Sequence, residues 1–119
     1  MGFLFAGTNA QAQMTPPLAK QLDGATLFKQ QCGVCHTTSA SEPPRQGPPL
    51  NKVLGQPAGK HEGFRYSPAL ARADFIWDEN KLDAWLANPA EVVPGTMMAY
   101  RQAKAEPRAA IINYLKGLN

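Results

Sequence analysis

Two cysteines stand three apart in the stretch Gln31-Cys32-Gly33-Val34-Cys35-His36, with a histidine directly behind the second, and the chain has no other cysteine. Three kinds of chemistry use such a group. A thiol pair can cycle between dithiol and disulfide, two thiolates and an imidazole can supply part of a zinc site, or each thiol can add to a vinyl group of haem while the histidine binds its iron. A structural zinc site usually needs four nitrogen or sulfur ligands, whereas this cluster offers three. The other histidine, His61, falls in a polar loop stretch and reads as solvated, with replacement of an iron ligand as a minor rival role. A thioredoxin-like dithiol belongs in a strand-helix-strand setting. C-x-x-C-H is the attachment signature of haem c: the three-residue step lets two thioethers grip one porphyrin edge while the next residue turns its imidazole to the iron.

An electron-carrying haem iron usually has a second axial ligand, and a thioether opposite an imidazole raises its potential. Pro94-Gly95-Thr96-Met97-Met98 holds the candidate. Either methionine could equally be core filler, since methionine plugs irregular gaps. Trp77 and Tyr66 likewise have an ordinary reading as core aromatics.

The elements that must position these groups are helical. Asp23 is an N-cap for a helix from Gly24 to Cys32 that turns Leu27 and Phe28 inward. Ser67-Pro68 opens a short helix to about Arg72. Asp78 caps a third, in which Leu82, Trp85 and Leu86 share a face and Asn88-Pro89 is the stop. Pro107 starts the last, with Ile111, Ile112, Leu115 and Leu118 as its apolar stripe and Gly117 fraying its end. No strand pattern or repeat of any length appears, so the fold class is all-α.

Length and composition set the remaining bounds. The chain has 119 residues, enough for one domain with a modest core. Its 12 basic and 9 acidic residues leave a net charge of +3 without a run of like charges, a weak footprint for nucleic acid. Eleven prolines and ten glycines imply much irregular backbone. A few short helices bury too little apolar surface to offset ordering such loops, at about 1–2 kcal/mol of backbone entropy per residue. A large apolar prosthetic group would make up the difference. Residues 1–12 read as the tail of a signal peptide ending in Ala10-Gln11-Ala12, 13–22 as a lead-in and 23–119 as the domain. The rival reading of the first segment is a disordered N-terminal arm. No stretch approaches the ~20 apolar residues of a membrane span.

Beyond the cysteine motif, "GPPL" at Gly47 to Leu50, Trp77, Asn88-Pro89 and "PGTMM" at Pro94 to Met98 stand in the order and register of the class I cytochromes c, of the mitochondrial and bacterial cytochrome c2 type. The sequence resembles that family from Gly24 to Leu115. The resemblance implies a small all-α fold of short helices and loops wrapped around one covalent haem c, with Cys32 and Cys35 as thioethers. His36 and Met98 become the axial ligands, and Met97 points away. Pro48 would accept the His36 ring proton. Thr96, Tyr66, Trp77 and Trp85 join the haem-binding set, Tyr66 and Trp77 as donors to a propionate. Gly24 allows a close crossing of the first and last helices, where Phe28 meets Tyr114.

Departures from the family pattern bear on function. Trp85 replaces a tyrosine whose hydroxyl bonds the methionine sulfur, which puts the potential in question. Gln56 replaces an arginine near the propionates. Gln31, Ala90, Glu91 and Met97 stand where relatives often carry lysine, leaving Lys104 and Arg45 near the haem edge. The implied function is a soluble, monomeric, periplasmic electron carrier, not an enzyme. Its donor and acceptor are redox proteins of the dehydrogenase, cytochrome bc1 complex or terminal oxidase class. The alternatives are a dedicated subunit of one dehydrogenase and a haem enzyme or sensor with a labile methionine.

Overall fold

The computed structural model describes residues 22–39 and 41–119. The signal-peptide reading of 1–12 and nearly all of the lead-in lie outside them. The described residues form five helices: α1 (Gly24–Gln31), α2 (Pro68–Ala71), α3 (Glu79–Ala87), α4 (Pro89–Val92) and α5 (Ala105–Lys116).

Local chemistry explains most of the boundaries. Asp23 caps α1 by accepting the Thr26 hydroxyl at 2.6 Å and the Ala25 N–H at 3.2 Å. Those bonds, the hydroxyl first, hold its carboxyl below the usual range. Ser67 and Asp78 cap α2 and α3 in the same way, bonding Leu70 N–H at 3.2 Å and Lys81 N–H at 2.7 Å. Three boundaries differ from the sequence reading. α1 ends at Gln31, and Cys32 is its C-cap. Asn88-Pro89 ends α3 but also opens α4, because the fixed φ of proline suits a first helical position as well as it stops a preceding helix. α5 starts at Ala105 rather than Pro107, since a first-turn N–H has no partner within the helix and a proline there loses no bond.

α1, α3 and α5 pack around one core. Phe28 from α1, Leu82, Trp85 and Leu86 from α3, and Ile111, Ile112 and Leu115 from α5 are buried, joined by Trp77 and Val93. Among the described residues the only β pairing is an isolated antiparallel bridge between Pro57 and Ile76. It is extended by Trp77 N–H to Gln56 O at 2.9 Å and Ala58 N–H to Phe75 O at 2.9 Å, which fixes the depth of Trp77. Lys60 gathers the carbonyls of Ala58, Ala71 and Ala73 at 3.4, 2.7 and 3.3 Å, placing a cation at the C-terminal end of α2.

The crossing of α1 and α5 depends on Gly24. A Cβ there would lie 2.2 Å from Ala110 O and 2.9 Å from Tyr114 Cβ. Next to this contact the Phe28 and Tyr114 rings meet at 5.4 Å between centroids. Gly24→Ala is therefore expected to force the helices apart and cost about 1–3 kcal/mol. Urea unfolding followed by tryptophan fluorescence measures it, and an unchanged midpoint would contradict so close a crossing.

Candidate haem site

The cysteine motif continues α1 by one turn. Cys32 N–H and Gly33 N–H both reach Phe28 O at 2.8 Å, and Cys35 N–H and His36 N–H both reach Cys32 O, at 3.0 and 2.9 Å. Both thiols are free, Cys32 buried and Cys35 half-buried. Burial, followed by the neighbouring Cys35, pushes the Cys32 thiol up to about 11, so it is not a reactive thiolate at neutral pH. A redox dithiol depends on the opposite shift. Among the described residues no three His, Cys, Asp or Glu side chains converge as a metal cage.

His36 is held by the loop that follows. Its Nδ1 lies 2.8 Å from Pro48 O, a contact that fixes Nδ1–H as the donor and leaves the Nε2 lone pair free. Burial lowers the imidazole pKa, the Pro48 bond opposes this, and the net direction favours the neutral ring that binds metal. Gly47 lies flat against that ring: a Cβ there would sit 2.3 Å from Cε1 and 2.6 Å from Nδ1. The loop is stitched to the motif by Gly47 N–H to Cys35 O at 2.7 Å and Leu50 N–H to Thr37 O at 2.8 Å. Arg45 donates to Gly33 O and pairs with Glu42 at 3.6 Å.

On the far side of the sequence, Val93 to Thr96 form a tight turn, with Thr96 N–H to Val93 O at 3.0 Å and Gly95 at φ +95°. Positive φ at the third position is what the Pro-Gly pair provides. The Thr96 hydroxyl accepts the Met98 N–H at 3.4 Å. The two methionines then part: Met97 is 81% exposed, and Met98 packs against the core cluster that contains Cys32.

The aromatic candidates are also placed. Trp77 and Trp85 are buried and meet edge to face, 5.2 Å between centroids at 70°. The half-buried Tyr66 hydroxyl accepts His61 N–H at 3.1 Å, which leaves its own proton to donate. Burial raises the Tyr66 pKa and keeps that proton on. The His61 side chain is exposed, as its polar surroundings suggest. Two contributors escaped the sequence reading: Gly47, visible as the glycine of G-P-x-L but not as a cradle, and Tyr100, for which no local signal exists.

The donor set suits haem. Two free thiols, a neutral imidazole with an open nitrogen, a partly buried thioether and a glycine-backed ring are the groups a covalent haem would need. The cytochrome c family model matches residues 21–119. Cytochrome c of Kluyveromyces lactis is 41% identical over 93 residues, 77% of this chain and 84% of that protein. Cytochrome c2 of Rhodomicrobium vannielii is 42% identical over 93 residues, 77% of this chain and 74% of that protein. Cytochrome c of Gossypium barbadense is 37% identical over 108 residues, 90% and 96% of the two chains. With the model match spanning all five helices, the chain belongs to the cytochrome c family: an electron carrier rather than an enzyme, with one covalent haem c and, in Cys32 and Cys35, the C-x-x-C-H pair that such a haem requires.

Proposed function

We propose that the protein is a soluble single-electron carrier, exported to the periplasm as a monomer, with His36 and Met98 as the axial ligands of its haem. The observation that carries the ligand pair is the parting of the two methionines together with the Pro48 contact that orients His36. The bound haem supplies a one-electron iron couple, whose ferrous form a thioether ligand favours. The chain does the rest. Cys32 and Cys35 anchor the group at the end of α1, Gly47 and Pro48 set the imidazole plane and tautomer, and Thr96 steadies the backbone of Met98. Tyr66 and Trp77 would donate to a propionate, and Trp85 would stand beside the thioether in place of a hydroxyl donor.

Export is supported by the Ala10-Gln11-Ala12 pattern and by similarity to a bacterial cytochrome c2. Among the described residues no helix is long and apolar enough to cross a membrane. Donor and acceptor would be a dehydrogenase, a cytochrome bc1 complex or a terminal oxidase. Docking would rest on apolar contact more than charge: Val34 and Met97 are 74% and 81% exposed, and Arg45 is occupied by Gly33 and Glu42. Weak charge at the contact means weak steering.

The visible spectrum of the ferric protein tests the ligand pair. A low-spin spectrum with a weak sulfur-to-iron band, slow to react with cyanide, is the expected result. A high-spin spectrum that cyanide converts at once would overturn it.

A further inference from the structure

The segment after Met98 has no helix or strand to hold it until Ala105. Point contacts do so instead. Downstream, Gln102 N–H bonds Leu86 O on α3 at 2.8 Å, and Arg108 on α5 takes the carbonyls of Gln102 and Ala103 at 3.0 and 2.9 Å. Arg108 is itself fixed by Asp83 of α3 at 2.8 Å. Upstream, the Val93–Thr96 turn holds the other end. Between these anchors, among the described residues, one hydrogen bond ties the methionine segment to another element: Tyr100 Oη donates to Gln31 Oε1 at 2.5 Å.

That bond joins residues 69 apart in sequence, and both side chains are half-buried. Its position gives it a role. Gln31 is the last residue of α1, directly before Cys32, and Tyr100 stands two residues after Met98. Gln102 Nε2 lies 3.4 Å from the same Gln31 oxygen, while its own Oε1 accepts Lys104 N–H at 3.1 Å, which turns the amide nitrogen towards Gln31. The acceptor oxygen is therefore approached by a strong donor and a weaker one.

We infer that Tyr100 and Gln31 form a latch that holds the methionine loop against the attachment helix and sets how often Met98 leaves the iron. They are positioning residues, and the inference rests on Met98 being the distal ligand. Opening the latch frees residues 97–101 while the Gln102 and Arg108 anchors stay closed, so the loop can swing without the core unfolding. Loss of a half-buried neutral hydrogen bond raises the population of an open state about fivefold.

The test is stopped-flow mixing of the ferric holoprotein with cyanide, at concentrations where the observed rate reaches a plateau set by loop opening. Tyr100→Phe and Gln31→Ala should each raise the plateau about fivefold, with the sulfur-to-iron band retained before mixing. The double variant should be no faster than Gln31→Ala alone, because that change already removes the bond that Tyr100→Phe breaks. Gln31→Glu, which keeps an acceptor for the phenol, should return the plateau towards that of the unaltered protein. Plateau rates unchanged in Tyr100→Phe, effects that multiply in the double variant, or no rescue by Gln31→Glu would each overturn the latch alone. Absence of the sulfur-to-iron band in the unaltered protein would instead overturn the Met98 assignment, and the latch with it.

Discussion

Gly47→Ala should cost the protein its ordered histidine. The added methyl would lie 2.3 Å from His36 Cε1, and no rotation relieves it because the collision is with a Cβ, whose position the backbone dictates. Either the ring must leave the Pro48 carbonyl or the loop from Gly47 to Leu50 must lift off the motif, giving up Gly47 N–H to Cys35 O and Leu50 N–H to Thr37 O. Overpacking of this kind costs about 1–3 kcal/mol and a lost hydrogen bond about 1 kcal/mol more. The expected result is a lower guanidinium midpoint, by roughly 2–4 kcal/mol in stability, with a ferric spectrum that shifts towards high spin. Gly55→Ala is the control. Nothing lies within 4 Å of a Cβ at Gly55, so the penalty there reduces to its φ of +92°. That strain is about 1–2 kcal/mol and should leave the spectrum alone. A Gly47→Ala protein with unaltered spectrum and midpoint would mean that the ring does not sit against this loop.

Met98→Ala should remove the sulfur-to-iron band, admit cyanide without a plateau and lower the reduction potential. Axial ligation spans about 0.8 V across haem proteins, and losing the thioether should move the potential by a sizeable part of that range. Met97→Ala should do none of this, because its side chain is 81% exposed. The paired measurement matters because the two methionines are adjacent and chemically identical. Potentiometry on both variants separates them, and loss of the band in the Met97 variant would reverse the assignment.

Much of this protein could be read without a structure because its decisive signals are local. The C-x-x-C-H spacing occupies five consecutive residues, and the Asp23, Ser67 and Asp78 caps each act on an N–H two or three residues on. The Pro94-Gly95 turn is likewise closed by a bond between neighbours. Such features depend on backbone sterics and near-neighbour hydrogen bonds, so residue type and spacing suffice to find them. Even there, Pro89 and Pro107 misled the boundaries, since a proline can end one helix, open another or sit harmlessly in a first turn. The irregular central stretch also hid the bridge between Pro57 and Ile76, which no alternation announces because its partners are single residues.

What the chain could not declare by itself depends on distant segments meeting. Gly47 is needed as glycine because the His36 ring arrives from another turn of the chain. Residue type does not separate Met97 from Met98; in the sequence only the register shared with the family singles out Met98, and the α1–α3–α5 core receives that one. Tyr100 finds Gln31 across 69 residues, with nothing in either neighbourhood to announce it. Spacing along the chain determined which groups were available for haem chemistry. Close packing, in which a methyl group or a single hydrogen bond decides whether two segments can touch, determined how those groups are held.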